Sequence, residues 1–537
     1  MLVIVATGYL QSILTHSPVI MNTMNCVFPQ IGIVGTGAMG RGIAQIAAQA
    51  GAKVLLFDMA PDAAAKANEA LQTTWGKLLE KGRLTPQLIE QYTARLQHCA
   101  SLDEFKGCDL VIEAVVEKLE VKQALFRELE NLVLSSCVLA TNTSSLPVTA
   151  IAAALSKPER FAGYHFFNPV PLMKVVEVIP GLKTSADVSK KLIELSRQMG
   201  HTPVMASDTP GFIVNHAGRG YGTEALRIVG EGVADFATID AILKDQVGFK
   251  LGPFELMDLT GLDVSHPVME SVYRQYFDEP RYRPSVITAQ RLAGGVLGRK
   301  TKAGFYDYSE EKGQVAFIKP AQSAIKSVAI DAADWPPVWV SHNAARRVPL
   351  LELLHNLGAK IETGQSPSLH ALTIVAPLGW DVTTVAVFER YDPARTVGID
   401  MLIDDAVTKR RVIMGNPAVR SDMLASAAAI FSSDGKPVST IRDSAGFVTQ
   451  RVVATIVNIA CDMCQQQICT PQDLDTAVQL GLGYPTGPLA MGNSMGGASV
   501  LEVLVNMQTV YGDPRYRASP WLRRRGALGL SLLHVEA

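Results

Sequence analysis

The chain has 537 residues, of which 48% are hydrophobic, and its 49 basic and 51 acidic side chains leave a formal net charge of −2. This length is typical of roughly three or four domains, and the balanced charge excludes a basic nucleic-acid-binding protein. The seven cysteines are widely spread except for Cys461, Cys464 and Cys469, which predicts no disulfide framework and favours a reducing, cytoplasmic compartment.

Residues 1–29 precede the first convincing strand, and we expect them to form a disordered extension. The opening MLVIVATGYLQSILTHSPVI is apolar but has no Lys or Arg, and polar residues interrupt it. It is too broken for a transmembrane helix and lacks the charged start of a signal peptide. Met21 and Met24 stand just before the strand, so an upstream start codon is one interpretation.

A glycine-dense turn follows, in the stretch IGIVGTGAMGRG between an apolar strand and an apolar helix. Gly35 permits the tight turn, Gly37 lets a pyrophosphate approach the backbone, and Gly40 packs the helix on the strand. The N-terminus of that helix would face the phosphates. The pattern predicts a Rossmann dinucleotide site, the alternative being a glycine-rich turn in an ordinary α/β domain.

The next predicted strand, AKVLLFD, ends in Asp58, eighteen residues after Gly40. A carboxylate there accepts hydrogen bonds from ribose hydroxyls and repels a 2′-phosphate, so the sequence predicts NAD as cofactor. Residues 61–96 then read as two helices separated by LLEKGRLT. Lys66, Lys77 and Lys81 on this insertion indicate either contact with an anionic ligand or a solvated charged face.

Further strands are predicted at CDLVIEAV and CVLATNTSSL. Polar residues at such strand ends are where open α/β sheets place ligands, so Asn142, Thr143, Ser144 and Ser145 are candidates. In FAGYHFFNPVPLMKVVEVI, Glu177 lies twelve residues after His165 within an apolar run. A buried carboxylate needs a partner, and a His–Glu pair would provide a general base at neutral pH.

The motifs GTGAMG, EAVVEKLEVK, TNTSSLP, HFFNPVPLMKVVEV and DTPGFIVN resemble, in order and spacing, the short-chain L-3-hydroxyacyl-CoA dehydrogenases. The resemblance covers about residues 30–308. It implies that His165 is the general base for the 3-hydroxyl proton, oriented by Glu177, and that Ser144 and Asn215 position the reacting oxygen. The positions that match the NAD site of the family are Gly35, Gly37, Met39, Gly40, Asp58, Val115, Glu117, Lys122, Ser144, Asn168 and Lys300. Thr74, Lys81 and Asn215 match positions that contact the acyl-CoA, and no metal is implied.

The fold class expected from these motifs is a Rossmann NAD-binding domain (residues 30–210) followed by an all-α substrate and dimerisation domain (211–308). A polar linker (309–337) leads to a repeat. Aligning DSAGFVTQ with DTPGFIVN pairs Gly446 with Gly211, a shift of 446 − 211 = 235, and the same shift pairs Gly398 with Gly163. So many glycines in register predict a duplicated fold. The second copy would have a shortened Rossmann-like segment (338–445) and a helical domain (446–537).

The second copy lacks the catalytic residues of the first. At the same shift His165 aligns with Asp400, Glu177 with Val412, Ser144 with Gly379 and Asn215 with Gln450. No GxGxxG occurs in the second copy. The helical domain is the usual dimer contact in the family, so we expect the second copy to pack on the first within one chain. The alternative is a drifting remnant with no packing role, and formation of a homo-oligomer in addition stays open.

Two local patterns point weakly to other chemistry. Cys461 and Cys464 form a single CxxC, but they align with apolar helix positions and lack the second ligand pair of a zinc site. The run Arg523-Arg524-Arg525 is typical of a solvated helix face, with a coenzyme A contact as the alternative.

The sequence therefore predicts an NAD-dependent 3-hydroxyacyl-CoA dehydrogenase with no nucleic-acid or membrane partner. The duplication and the ending RGALGLSLLHVEA resemble long bacterial members of the family from phenylacetate catabolism, which implies 3-hydroxyadipyl-CoA or 3-hydroxybutyryl-CoA as substrate. A dehydrogenase of a small free hydroxy acid and a non-catalytic NAD-binding scaffold are the alternatives.

Overall fold

The computed structural model describes residues 26–309, 316–317 and 330–536. Most of the predicted extension and of the predicted linker lie outside the described residues. The end of the extension is packed, because Cys26 and Phe28 are buried and the N–H of Val27 donates to the side chain of Gln198 (3.0 Å). The expectation of disorder over residues 1–29 is therefore wrong for residues 26–29, whose apolar side chains join the core.

The N-terminal α/β unit is built on one eight-stranded sheet. Its strands are β1 (Gln30–Val34), β2 (Lys53–Phe57), β3 (Leu96–His98), β4 (Leu110–Glu113), β5 (Val138–Thr141), β6 (Phe161–Phe166), β7 (Val175–Pro180) and β8 (Thr202–Met205). Its helices are α1 (Ala38–Gln49), α2 (Ala63–Glu80), α3 (Pro86–Ala94), α4 (Leu119–Leu132), α5 (Val148–Ala152) and α6 (Ala186–Gln198). The strand order is β3-β2-β1-β4-β5-β6-β7-β8, so the direction of winding reverses between β1 and β4. In open α/β sheets, ligands bind at the carboxyl ends of the strands that flank such a reversal.

One pair of strands in this sheet, β6 and β7, runs antiparallel. Both strands are apolar and buried on both faces, as their sequences FAGYHF and VVEVIP predict. Their register places His165 directly opposite Glu177. The hairpin thus brings together two polar side chains that lie twelve residues apart in an otherwise apolar layer.

The first helical unit follows β8. Its helices are α7 (Val214–Ala217), α8 (Arg219–Gly230), α9 (Phe236–Val247), α10 (Pro253–Thr260), α11 (Leu262–Gln275) and α12 (Val286–Ala293). A short strand β9 (Tyr306–Asp307) then pairs antiparallel with β10 (Ala316–Phe317).

The second α/β unit has a six-stranded sheet. Its strands are β11 (Val338–Val340), β12 (Ile361–Glu362), β13 (Leu372–Val375), β14 (Thr396–Ile399), β15 (Arg411–Gly415) and β16 (Val438–Arg442), and its helices are α13 (Arg347–Asn356), α14 (Val382–Glu389) and α15 (Ser421–Ser432). The order is β12-β11-β13-β14-β15-β16, with β14 and β15 antiparallel. This antiparallel pair corresponds to β6 and β7 at the shift of 235, so the second sheet repeats the first with two strands fewer.

A second helical unit completes the chain. It consists of α16 (Val448–Gln465), α17 (Pro471–Leu482), α18 (Pro488–Met495), α19 (Gly497–Tyr511) and α20 (Pro520–Leu528). Nearly every residue of α16 is buried, because this helix packs against α8 and α9 of the first unit as well as α18, α19 and α20 of its own. Over the described ranges, none of the helices is both long enough and apolar enough to cross a bilayer.

The same buried aspartate occurs in both helical units. Asp240 accepts hydrogen bonds from the N–H groups of Phe254 and Glu255 (both 3.0 Å), at the start of α10. Asp475, which lies 235 residues later, accepts from the N–H groups of Leu489 and Ala490 at the start of α18 (2.9 and 3.0 Å). Both carboxylates occupy the N-terminal end of a helix, where the helix dipole favours negative charge. The predicted fold class, with its duplicated second copy, is confirmed.

The two local patterns noted in the second copy differ in outcome: the cysteines lie at apolar helix positions as expected, whereas one of the three arginines does not lie on a solvated face. Cys461 and Cys464 are buried thiols of α16, and burial raises the pKa of Cys464 to about 12. No group of metal-ligating side chains occurs within the described part of the chain. Arg525 is not part of a solvated face, since it is 2% exposed and donates to the carbonyl oxygen of His534 (2.7 Å). Arg523 and Arg524 are exposed as expected.

Candidate active site

The centre of the candidate site is a buried pair of side chains on β6 and β7. The Nδ1 atom of His165 lies 2.5 Å from Oε2 of Glu177. Glu177 is fully buried and His165 is 4% exposed. A carboxylate at this distance holds the hydrogen on Nδ1, which leaves Nε2 as the acceptor. Nε2 has no hydrogen-bond partner in the described ranges, so it is available to a substrate.

The second oxygen of Glu177 anchors the helical unit. Oε1 accepts hydrogen bonds from the N–H groups of Ile213 and Val214, both at 2.9 Å, where α7 begins. These helical N–H groups have no partner within the helix, and a carboxylate satisfies them well. Glu177 therefore fixes the orientation of His165 and the position of the segment that carries Asn215.

A second carboxylate, Glu117, organises the turn after β5. Its Oε1 accepts hydrogen bonds from the hydroxyl of Thr143 (2.6 Å) and the N–H of Ser144 (2.8 Å). Its Oε2 lies 3.1 Å from the ammonium of Lys122. Burial alone would raise the pKa of Glu117, but the charge of Lys122 and these hydrogen bonds outweigh burial and lower that pKa to about 2. The carboxylate is therefore ionised and keeps the turn rigid.

Lys122 is buried below the cleft, whereas Asn215 lies at the boundary between the α/β unit and the helical unit. Lys122 is 1% exposed, and its ammonium is shared between Glu113 (2.6 Å) and Glu117, so its charge lies beneath the cleft. Asn215 lies on α7, and its Nδ2 donates to the carbonyl oxygen of Ser144 (3.4 Å). Ser144 and Asn215 are thus neighbours across the boundary between the α/β unit and the helical unit.

A cleft of about 930 Å³ opens at the carboxyl edge of β1, β2 and β4. Its lining residues include Val34, Gly35, Gly37, Asp58, Ala114, Val115 and Val116. Gly35 has φ +92°, and a Cβ there would lie 2.5 Å from the carbonyl oxygen of Ala114, so only glycine fits. A Cβ on Gly37 would meet open space, which is where a pyrophosphate could approach the start of α1. The cleft fits a dinucleotide.

Asp58 at the end of this cleft is held by Thr36. Its Oδ2 accepts hydrogen bonds from the backbone N–H (2.7 Å) and the hydroxyl (2.9 Å) of Thr36, and its Oδ1 accepts from the N–H of Ala60 (3.0 Å). Burial opposes ionisation, but these hydrogen bonds outweigh it and lower the pKa of Asp58. The carboxylate is therefore charged and oriented before any ligand binds.

The remaining predicted residues lie around this centre. Met39 is half-buried at the start of α1, Gly40 is buried there, and Asn168 is exposed after β6. Lys300 is half-exposed in the first helical unit, where it pairs with Asp263, and it does not line the cleft. Thr74 and Lys81 are exposed on and just after α2, as is Lys77. Their exposure leaves them accessible to a ligand but does not distinguish binding from solvation.

The sequence reasoning missed three features of the site. Thr36 holds Asp58, but it occupies a variable position of the glycine motif. Its hydroxyl was a signal for this role that the sequence offered. The rings of Phe167 and Phe212 flank the His165 ring at 4.4 and 5.8 Å between centroids, and no pattern predicted that contact. Arg219 lies one helical turn after Asn215 and belongs to none of the motifs identified in the sequence.

Family models match both halves of the chain. The family model for the 3-hydroxyacyl-CoA dehydrogenase NAD binding domain matches residues 30–209. The model for the C-terminal domain of the same family matches residues 211–308 and again residues 446–531. The second match coincides with the second helical unit.

Individual relatives cover nearly the whole chain or its first half. The 3-hydroxyadipyl-CoA dehydrogenase of Escherichia coli K12 is 36% identical over 93% of this chain and 97% of its own length. The human mitochondrial hydroxyacyl-coenzyme A dehydrogenase is 35% identical over 57% of this chain and 99% of its own. A crystal structure of 3-hydroxybutyryl-CoA dehydrogenase from E. coli K12 superposes with a TM-score of 0.81 at 35% identity, covering 93% of this chain and 98% of that one.

Proposed function

The chain belongs to the 3-hydroxyacyl-CoA dehydrogenase family and is an NAD-dependent oxidoreductase, and on that premise we propose that it oxidises a 3-hydroxyacyl-CoA with His165 as general base. The observation that carries this proposal is the His165–Glu177 pair at 2.5 Å, with His165 at the same carboxyl edge of the sheet as a cleft that fits a dinucleotide. In this proposal 3-hydroxyadipyl-CoA is the substrate, with 3-hydroxybutyryl-CoA as the second candidate.

The geometry supports a simple proton path. The 3-hydroxyl would donate its proton to Nε2 of His165, and the negative charge of Glu177 would stabilise the imidazolium that results. NAD, held at the cleft that Gly35, Gly37 and Asp58 line, would supply the acceptor for the hydride that C3 loses.

Ser144 and Asn215 would hold the reacting oxygen. The amide of Asn215 lies 3.4 Å from the backbone carbonyl oxygen of Ser144 across the unit boundary, so the two residues are neighbours, and the Ser144 hydroxyl and the Asn215 amide can both donate to an oxygen that becomes a carbonyl. Donors that are already in place cost little reorganisation when charge develops on that oxygen. Thr74 and Lys81, exposed near the C-terminal end of α2, are proposed to contact the coenzyme A moiety.

The second helical unit is proposed to take the place of a partner subunit. What supports this is the buried contact of α16 with α8, in which Arg451 lies 2.7 Å from Glu224 and 2.6 Å from Glu231. Arg281 of the first unit likewise lies 2.6 Å from Asp462 of the second. These ion pairs join charges of the first unit to charges of the second across a largely buried contact.

The test is NADH formation from 3-hydroxyadipyl-CoA and 3-hydroxybutyryl-CoA, measured for the native protein and for His165→Ala. We expect the native protein to oxidise at least one thioester and His165→Ala to lose at least about a hundredfold in kcat, as removal of a general base should cause. His98→Ala, which removes an exposed histidine at the end of β3, is the matched control and should retain full activity. A protein that binds NAD but oxidises neither thioester would refute the proposal.

A further inference from the structure

Arg219 is an arginine without a carboxylate partner, and it lies one helical turn beyond Asn215. Its Nε donates to the backbone carbonyl oxygen of Asn215 (2.7 Å). The two terminal nitrogens have no hydrogen-bond partner among the residues that the structure describes, yet they are not sealed from solvent. The guanidinium therefore presents its free edge next to the residue proposed to hold the reacting end of the substrate.

Three arginines that are more deeply buried than the half-buried Arg219 are each compensated by a carboxylate. Arg281, Arg411 and Arg451 have side chains that are at most 2% exposed, and each has a carboxylate oxygen within 2.8 Å. Burial lowers the pKa of Arg219 to about 10, partly offset by the neighbouring Tyr484. A charge that is partly withdrawn from water and has no counter-ion is left undercompensated, and a bound anion would supply the missing charge.

The neighbour of Arg219 comes from the second copy. Tyr484 lies in the turn between α17 and α18, is 6% exposed, and has a hydroxyl with no hydrogen-bond partner in the described part of the chain. Leu482 of the same segment approaches within 3.1 Å of the position that a Cβ on Gly218 would take. The second copy thus forms a wall beside Arg219, and that wall carries one unpaired donor.

The spacing along the helix matches a six-carbon chain. Residues four apart on a helix are separated by about 6 Å along its axis. In an extended dicarboxylic acyl group, three carbon–carbon bonds of about 1.5 Å each separate C3 from the terminal carboxyl carbon, a span of roughly 4 Å. If Asn215 holds the oxygen on C3, a guanidinium one turn further can reach that terminal carboxylate. A four-carbon chain ends well short of it.

We propose that Arg219, assisted by the hydroxyl of Tyr484, binds the terminal carboxylate of a dicarboxylic 3-hydroxyacyl-CoA. This inference rests on the proposed function and names its substrate class: a thioester that carries a carboxylate three carbons beyond the reacting carbon. It also gives the second copy a direct part in the site, because Tyr484 belongs to that copy. The equivalent of Arg219 in the second copy, at the shift of 235, is Ala454, so the carboxylate site exists once per chain.

The experiment compares two substrates of equal carbon number, 3-hydroxyadipyl-CoA and 3-hydroxyhexanoyl-CoA, which differ only in the terminal group. For Arg219→Met we expect kcat/KM for the adipyl substrate to fall about 10- to 100-fold, chiefly through KM, as loss of a charge-assisted hydrogen bond predicts. Its kcat/KM for the hexanoyl substrate should stay within about threefold. Arg219→Lys should recover part of the loss, and Tyr484→Phe should lower only the adipyl value, by about 2- to 10-fold.

Arg274→Met is the matched control, since Arg274 is an arginine of the same helical unit with a side chain that is 74% exposed. Neither substrate should distinguish it from the native protein. Binding of adipyl-CoA and hexanoyl-CoA, which lack the reacting hydroxyl, is measured by calorimetry alongside turnover. An equal loss for both acyl groups in Arg219→Met, or no loss for either, would overturn the inference while leaving the dehydrogenase proposal intact. Turnover of neither hydroxy substrate by the native protein would refute the dehydrogenase proposal, and a selective loss of adipyl-CoA binding would then still support the carboxylate site.

Discussion

Replacing Glu177 by Gln tests whether the carboxylate sets the protonation state of His165. In the native protein Oε2 of Glu177 lies 2.5 Å from Nδ1 of His165, and Oε1 accepts from two backbone N–H groups at the start of α7. A glutamine can keep its oxygen on those N–H groups only by turning its NH₂ group toward Nδ1. That NH₂ is a donor, so Nδ1 becomes an acceptor and the ring hydrogen moves to Nε2.

A histidine that carries its hydrogen on Nε2 cannot accept the hydroxyl proton there. We therefore expect kcat of Glu177→Gln to fall by about 10³- to 10⁴-fold, the magnitude that a wrong tautomer causes in serine proteases, with KM for the thioester changing little. The assay is the rate of NADH absorbance at saturating NAD and thioester. Glu177 and His165 would act as one unit, so Glu177→Gln combined with His165→Ala should be hardly slower than His165→Ala alone.

Stability separates this explanation from simple unfolding. Because the glutamine oxygen still accepts both N–H groups, the melting temperature should stay close to the native value. Glu270→Gln, a half-exposed glutamate on α11, serves as the matched control and should leave kcat unchanged. Retention of more than a tenth of native kcat by Glu177→Gln would refute the tautomer argument, and so would a loss that follows the melting temperature.

Three further predictions concern the cofactor cleft and the contact between the two copies. Thr36→Val removes the hydroxyl that holds Asp58, so KM for NAD should rise about 3- to 10-fold in steady-state kinetics at unchanged kcat, with Thr36→Ser restoring it. Glu117 has its pKa held at about 2 rather than its ordinary 4.5, so its stabilising contribution is present above about pH 4.5 and is lost as pH falls toward 2; the melting-temperature gap between native protein and Glu117→Gln should close over that range, and a constant gap would contradict it. Arg451→Met removes the nearest counter-charge of the buried Glu224 and should cost about 3 kcal/mol in urea unfolding. Combining it with Glu224→Gln should cost less than the two single changes summed, and strict additivity would count against a direct pair.

Predictions from the sequence were most reliable at positions where only one residue type can adopt the required backbone conformation. Gly35 fits a positive φ, and the motif around it identified the nucleotide cleft. His165 and Glu177 could be proposed as a pair because a buried carboxylate in an apolar run needs a partner, although their meeting depends on an antiparallel register that only the fold supplies. The roles of Lys122 and Arg525 were predicted from motif spacing or from a run of charges alone. Whether such a charge faces a ligand, a carboxylate or a carbonyl depends on segments that are far away in the sequence. The periodicity of the sequence does not predict where those segments lie.

The vestigial site of the second copy is filled by its own side chains. Gln450, which aligns with Asn215, accepts from the N–H of Gly379 (2.8 Å) and donates to Asp400 (3.0 Å). These two partners align with Ser144 and His165. The positions that would surround a substrate in the first copy are therefore joined to one another by hydrogen bonds in the second copy. The second copy contributes a packing surface to the first.

The contact between the copies is asymmetric in a way that a dimer of first copies could not reproduce. Arg451 lies among the hydroxyls of Tyr511 (3.0 Å) and Tyr516 (3.2 Å), and it reaches Glu224 across the contact. Its counterpart in the first copy, at a shift of 235, is His216, which also touches two tyrosine hydroxyls. Burial lowers the pKa of His216 to about 3, so this ring is neutral and would not give a facing Glu224 the charge that Arg451 provides. The arginine on α16 thus makes the second copy the matching partner for α8, and the same packing brings Tyr484 beside Arg219.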